Sequence, residues 1–481
     1  MLFASTSTCS PARPARSPRR RSPLARVAQT ALALAAAGSA VAVVNGAMHE
    51  PPNGQVMLGF WFDPASPYND RPNLVNEALG YNVPVFQIAQ AIPLPPFNYT
   101  TGAGGAAPEN TIEKSATDAA VYLTVYPTQG FDAVTDQDFI ALGYQILDYQ
   151  INLNRTCFLR YAPEMQGRWM TYGQQPTAFL QSWQNMYTLV KSVAPDTVII
   201  WAPNTPQGYP YGQTGEAFTS LSAVDQALLD TNNNKILDPG DDSLAPYYPG
   251  DDLVDWIGLS IYYKGIPSDI ENSLQPDNYC ANVISGIDPG NNGAAITDWY
   301  HTYCEDKPSK ACMFAECGAA YHVNDQGVSQ AALQQKWLSD CITSNNMLTQ
   351  FPRIKLYMQF EYEKTESSNE GTNDLRDYRV LNNTDVLSEL KADLASLSGS
   401  FYWANHRAPP TSISSAGAPA ATNSDGSTIK QAITATTRPR PTTFPSLFGS
   451  TSDGTQRAEW AELGIMVTAG VVGAWSVMRT L

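Results

Sequence analysis

From about residue 55 to residue 400, short apolar runs alternate with longer stretches of mixed polarity. Eight runs read as strands: Val56–Phe60, Val83–Ala89, Ala119–Val125, Cys157–Arg160, Val198–Trp201, Val254–Ser260, Ala311–Ala315 and Ile354–Phe360. A parallel sheet wrapped by helices produces this alternation. The clearest helix between them spans Pro176–Val193, with proline in its first turn and Phe179, Leu180, Trp183, Met186, Tyr187 and Val190 on one face. Other helices are weakly patterned, residues 202–250 read as a long irregular excursion, and no internal repeat is visible. The expectation is an α/β fold, a (β/α)₈ TIM barrel over residues 55–400. A chain of 481 residues would otherwise suggest two or three domains, but barrels commonly exceed 250 residues as one unit.

The alternation stops near residue 405. Residues 405–457 are mostly Pro, Ser, Thr, Ala and Gly, with too little apolar material to offset the entropy of ordering, so they read as a disordered stalk. In the tail, 458–481, the run Leu463–Met478 is apolar, with Arg479 behind it. Small residues at Ser452, Asp453 and Gly454 and a polar spacer before that run fit a glycolipid anchor signal. A transmembrane helix is the rival, although the run is shorter than the roughly 20 residues a bilayer requires. At the other end, six arginines precede the apolar run Val27–Val44 and the small residues Asn45-Gly46-Ala47. Residues 1–47 therefore read as a signal peptide or an uncleaved signal anchor. Either reading places the body outside the cytosol, secreted or held at the cell surface or wall.

The charge is uneven. Residues 1–49 contain no acid, so the remainder carries 23 basic against 45 acidic residues. A body this acidic repels nucleic acid and anionic membrane surfaces. Besides Cys9 there are six cysteines, Cys157, Cys280, Cys304, Cys312, Cys317 and Cys341. Their even number in an exported chain predicts disulfides, among 15 possible full pairings. Their spacing fits no zinc site. Asn98, Asn154 and Asn382 open glycosylation sequons.

Barrel enzymes place their chemistry at the carboxyl ends of the strands. Two glutamates meet that requirement. Glu164 follows the fourth strand in the run Arg160-Tyr-Ala-Pro-Glu164-Met-Gln-Gly-Arg-Trp169, and Glu316 follows the seventh, Ala311-Cys-Met-Phe-Ala315. A pair of carboxyl groups suits glycosidic cleavage, one protonating the leaving oxygen and the other attacking the sugar carbon. The acid of such a pair needs a pKa above the ordinary value of about 4.3, and the other's negative charge would raise it. Aromatic residues near strand ends, Trp61, Trp169, Tyr172, Trp201, Tyr262 and Tyr263, could stack on sugar rings or pack the rim. A Cys317 nucleophile served by His301 or His322 is the weaker alternative, because no third orienting residue is evident.

The run from Arg160 to Trp169 with Tyr172-Gly173, together with Trp201-Ala-Pro-Asn204, Tyr248-Pro-Gly-Asp, Val254-Asp-Trp-Ile-Gly258, Tyr262 and Ala315-Glu316-x-Gly318, resembles glycoside hydrolase family 26. The resemblance runs from about Val56 to Ala395. It implies a retaining endo-β-glycanase, with β-mannan as the first candidate substrate and no cofactor needed for catalysis. It also implies Glu164 as acid/base and Glu316 as nucleophile. Arg160 would lie beneath the acid/base, Trp169 would form a sugar platform and Tyr262 would hydrogen-bond the nucleophile. Tyr172, Trp201 and Phe360, near strand ends, are further candidate substrate contacts. Two positions depart from the family: Pro163 stands where a histidine is usual, and the eighth strand reads Met358-Gln-Phe360-Glu-Tyr362 where a tryptophan is usual. Hydrolysis is therefore better supported than mannan. The reading from another class is a non-hydrolytic carbohydrate-binding wall protein, and the presence of both glutamates argues against it.

One further motif lies in the excursion. Asp230, Asn232, Asn234, Asp238 and Asp241 occupy positions 1, 3, 5, 9 and 12 of a loop patterned like an EF-hand, after a helix expected over Phe218–Leu229. Lys235 replaces the usual glycine and Asp241 the usual glutamate. A weak, structural calcium site is expected.

Overall fold

The computed structural model describes residues 46–407, apart from 99–103, 108–109, 168, 207–220, 239, 267, 308 and 368–372. The leader, the stalk after Arg407 and the apolar tail lie outside the described residues. Among those described, no helix is long and apolar enough to cross a membrane.

Eight parallel strands close on themselves: β1 (Val56–Phe62), β2 (Val85–Ala91), β3 (Ala120–Tyr126), β4 (Cys157–Tyr161), β5 (Val198–Trp201), β6 (Trp256–Tyr263), β7 (Ala311–Ala319) and β8 (Ile354–Glu361). Each pairs with its sequence neighbour, and β8 pairs with β1 from Met57↔Leu356 to Phe62↔Glu361, which removes the sheet's edges. This is a (β/α)₈ TIM barrel. The structure assigns strands to all eight apolar runs, with ends displaced by a few residues, and the Pro176–Val193 helix has the expected bounds. The helix expected from Phe218 begins among the described residues at Ala223, where the Ser222 hydroxyl accepts from the Asp225 amide.

Strand period explains what fills the barrel. Met57, Val85, Ala120, Tyr122, Phe158, Val198, Ile200, Trp256, Met313, Leu356 and Met358 form one buried cluster, and alternate residues face the helices. The Trp256 indole donates to the Met48 carbonyl, and Ala47 joins the same cluster, so the segment preceding β1 packs against the amino-terminal end. The opposite end carries the polar residues.

Two disulfides are present, Cys280–Cys341 and Cys304–Cys312. Cys157 and Cys317 are free and buried. They sit on β4 and β7, which are not neighbours in the sheet, so the even count yields two bridges rather than three.

Gly59 marks a close approach inside the barrel. A Cβ there would collide with the Met358 thioether and lie 2.9 Å from the Val85 carbonyl oxygen. Gly59→Val should lower stability by about 1–3 kcal/mol through overpacking, read as a lower melting temperature. An unchanged melting temperature would show that the β1–β8 wall yields more readily than this packing implies.

Candidate active site

Arg160 lies at the centre of the site. Period two along β4 turns Phe158 and Arg160 inward, and the Arg160 side chain is wholly buried. Its Nη1 donates to Glu316 Oε1, and its Nη2 donates to Ser260 Oγ at 2.6 Å. The Tyr262 hydroxyl donates to the other oxygen, Glu316 Oε2, at 2.9 Å. Glu316 is thus gripped at both oxygens by donors from β4 and β6.

Strict alternation would not place Glu316 there. With Ala311, Met313 and Ala315 facing the barrel interior, residue 316 should face the helices. The register shows how this is avoided. Leu259 pairs with Phe314 but Ser260 with Glu316, and on the other side Tyr357 pairs with Phe314 but Gln359 with Cys317. One extra residue in β7 forms a bulge seen by both neighbours, and it turns Glu316 inward and Cys317 outward.

Glu164 is placed differently. It sits beyond β4 in a tight turn, and its own φ is +54°, after +44° at Ala162. Both are left-handed values that side chains adopt at a cost of about 1–3 kcal/mol. The turn is tied down where the Glu164 amide donates to the Ala202 carbonyl at 3.0 Å. Trp169 Nε1 donates to Glu164 Oε2 at 3.0 Å, and Asn204 Nδ2 donates to Oε1 at 2.9 Å. Asn204 is itself clamped by Gln166: its amide donates to Gln166 Oε1 at 3.2 Å, and Gln166 Nε2 donates to its carbonyl at 2.6 Å.

Burial pushes the Glu164 carboxyl up to about 7, and the negative charge of Glu316 adds to the rise. Arg160 and the hydrogen bonds from Ser260 and Trp169 oppose it. A carboxyl in that range carries a proton in mildly acid solution and can release it near neutrality.

The structure revises several residue roles expected from sequence. Arg160 pairs with Glu316 rather than supporting Glu164. Trp169 is buried, and its indole serves as a hydrogen-bond donor to Glu164 instead of an open platform. Tyr172 is buried, its hydroxyl donating to the Pro163 carbonyl at 2.8 Å. Trp201 points out of the barrel, since Ile200 and Ala202 face in. Its indole donates to the Tyr247 carbonyl and its ring packs on Tyr248 and Tyr303. Phe360 stacks on Tyr362 at 4.6 Å, with the Lys364 ammonium 4.8 Å from its centroid, so its faces are taken. Of the expected substrate contacts Tyr262 is half-buried and the others are buried, and Trp61, which packs on Phe360, is also half-buried.

Three residues at the site escaped the sequence reading in their roles. Ser260 accepts from Arg160 and also acts on Glu164, and Asn204 holds Glu164. Tyr126 ends the inward face of β3, and its buried hydroxyl has no hydrogen-bond partner although it lies within the fields of Glu316 and Glu164. Its position could have been found from the alternation Ala120, Tyr122, Thr124, Tyr126 alone.

Cys317 is no nucleophile. Its thiol donates to the Met358 carbonyl, and burial, with Glu316 next to it, raises its pKa beyond the usual thiol range. His301 is exposed beside Glu305, and His322 lies in a separate buried cluster.

In the excursion, Asp230 Oδ2 accepts from the Lys235 amide at 2.9 Å, Asn232 Oδ1 from the Asn234 amide at 2.9 Å and Asn234 Oδ1 from the Ile236 amide at 2.7 Å. Lys235 takes φ +68°, which the absent glycine would have adopted freely. Asp230 Oδ1 is shielded from solvent and has no hydrogen-bond partner among the described residues.

No family model matches the chain, and no curated protein matches it. Among solved structures, it is similar to a double mutant of the Cellulomonas fimi endo-β-1,4-mannanase, at 13% identity and a TM-score of 0.44, covering 73% of this chain and 72% of that one. It is also similar to the GH26 domain of an endo-β-mannanase/endo-β-glucanase from Prevotella bryantii, at 13% identity and a TM-score of 0.39, with 70% and 92% covered. A GH128 endo-β-1,3-glucanase from Amycolatopsis mediterranei is matched at 12% identity and a TM-score of 0.34, with 70% and 98% covered.

Removing the Trp169 donor should destabilise the charged form of Glu164 and raise its pKa further. In Trp169→Phe the alkaline limb of kcat/KM on a hydrolysable glycan should therefore move above its wild-type position near pH 7. A limb that stays in place or moves down would show that the indole does not govern this carboxyl.

Proposed function

We propose that this protein is a retaining endo-β-glycanase in which Glu164 is the acid/base and Glu316 the nucleophile, with β-mannan as the first candidate substrate. The observation that carries the reading is the unequal treatment of two buried carboxyls. One accepts hydrogen bonds from Arg160 and Tyr262 at its two oxygens, and the other has its pKa raised by burial and by its neighbour's charge. Environments that set two carboxyls apart in this way assign acid and base roles.

In the first step a Glu316 oxygen forms a bond to the anomeric carbon as the bond to the leaving oxygen breaks, and the Glu164 proton moves to that oxygen. Ester formation removes the Glu316 charge, so the Glu164 pKa falls and the carboxylate can accept a proton from water. Water then attacks the anomeric carbon, Glu316 leaves as carboxylate and configuration is retained. Arg160 and Tyr262 hold the nucleophile throughout, and Asn204 and Trp169 orient the acid. The partly exposed rings of Trp61 and Tyr262 offer apolar surface for a sugar.

The reading predicts that Glu164→Gln or Glu316→Gln lowers turnover on the cleaved glycan by about 10³-fold or more while the fold persists. A panel of mannan, xylan, lichenan and laminarin, assayed for reducing sugar, identifies the substrate, and proton NMR of the first product should show retained configuration. Near-normal hydrolysis by Glu316→Gln, or inversion, would refute the pair. Binding of a glycan with no hydrolysis by wild type would favour the non-hydrolytic wall protein.

We also infer that the loop Asp230–Asp241 holds a structural calcium ion through Asp230, Asn232, Asn234, Asp238 and Asp241. The buried, partnerless Asp230 Oδ1 supports this assignment, because a bare carboxylate oxygen at that depth is costly without a cation or donor. Calcium should raise the melting temperature of wild type with kcat nearly unchanged, and Asp230→Ala should abolish that rise. A wild-type melting temperature identical in calcium and in chelator would exclude the site.

A further inference from the structure

Beyond β8 the chain forms an antiparallel hairpin, Glu363–Ser367 with Asn373–Asp377, whose second strand also pairs with Tyr321–His322. Beneath it lies a buried group of charges that the proposed chemistry does not use. Its hub is Glu366, whose side chain is wholly buried. Lys364 Nζ lies 2.7 Å from Glu366 Oε1, while Arg376 Nη1 at 3.0 Å and Lys264 Nζ at 3.4 Å approach Oε2. Arg376 also donates to Asp374 and to Asp269, each at 2.8 Å, and Asp374 meets His322. A hairpin could be fastened as well or better by apolar packing, because burying charges costs nearly as much as their pairing returns. Such an arrangement instead specifies one geometry, since each donor and acceptor must be met in place.

Two contacts of Glu366 lead from this hub to the site. The Tyr378 hydroxyl donates to Glu366 Oε2 at 2.8 Å, and the Tyr378 ring meets Tyr262 edge to face at 5.6 Å. Lys264 approaches the same oxygen, and its ammonium lies 5.8 Å from the Tyr262 ring centroid. Tyr262 is therefore contacted by two groups that are both tied to one carboxylate oxygen, while its own hydroxyl donates to Glu316. We propose that Glu366 is a positioning residue for the Glu316 carboxylate: through Tyr378 and Lys264 it fixes the Tyr262 ring, and through the Tyr262 hydroxyl it fixes the oxygen that Arg160 does not hold. This inference rests on the function proposed above.

A double-mutant cycle in the full chain, measured on the glycan that wild type cleaves, tests it. Glu366→Gln should lower kcat by about 10-fold or more with KM changed less than about 3-fold, and in a Tyr262→Phe background the same replacement should cost less than about 2-fold. Because Glu366→Gln removes the anion shared by Lys264, Lys364 and Arg376 and can unfold the hairpin, Tyr378→Phe serves as the second variant. It removes only the tethering hydroxyl and should show the same dependence on Tyr262 with a loss of about 3-fold. Losses that multiply independently of Tyr262, or that appear in KM alone, overturn the proposal and leave Glu366 a folding residue. Wild-type turnover abolished by Glu316→Gln, combined with additive cycles, overturns this inference alone. If wild type cleaves no glycan, the proposed function fails and this inference fails with it.

Discussion

The buried ion pair between Arg160 and Glu316 is the constraint around which the rest of the site is arranged. An eight-stranded barrel has an interior only wide enough to be filled by side chains, and here the upper layer of that filling is charged. A guanidinium with no access to water has to find acceptors within the barrel. It finds Glu316 on β7 and Ser260 on β6, while its Nε has no partner. Removing one member of such a pair strands the other at a cost of about 3–5 kcal/mol. The pair therefore ties β4 to β7 across the interior, beyond the reach of sheet hydrogen bonding, since neither strand neighbours the other.

Backbone departures from regular geometry coincide with the two glutamates. β7 carries a bulge at the point where Glu316 must turn inward, and the chain after β4 adopts two left-handed residues to deliver Glu164. Neither is stable by itself. The bulge forfeits regular pairing, and the left-handed turn forces side chains into a region that favours glycine. Each is compensated by specific partners: Arg160 and Tyr262 at one carboxylate, Ala202, Asn204 and Trp169 at the other. Strain that persists only because its surroundings over-determine it is a common property of reacting centres.

The aromatic residues divide into two kinds. Trp201, Tyr172 and Phe360 are packing elements whose polar atoms or faces are already occupied within the protein. Tyr262, beside Glu316, and Trp61 retain exposed surface, backed by Phe360, Tyr362 and Tyr378. Behind that wall, apolar packing gives way to the buried charges around Glu366 and Arg376, which join the ends of β6 and β8 through the hairpin. The site is thus supported by directional interactions on the β6–β8 side and by backbone geometry on the β4–β5 side.

The apolar runs by themselves marked eight strands and placed the two glutamates toward the carboxyl ends of the fourth and the seventh, because burial of both strand faces writes a pattern that depends only on local sequence. Period two could also have assigned Tyr126 inward and Trp201 outward. Only the tertiary structure decided which group faces which. Simple alternation along β7 would have turned Glu316 away from the site, and the bulge that reverses this is set by pairing with β6 and β8 rather than by residues 311–316. Arg160 could have served either glutamate, and the choice of Glu316 follows from where that bulge delivers a carboxylate. Likewise Cys157 and Cys317 are indistinguishable in sequence from the bridged cysteines, but they lie on strands that never become neighbours. Burial is encoded one residue at a time, whereas pairing depends on distances between segments that the chain brings together only on folding.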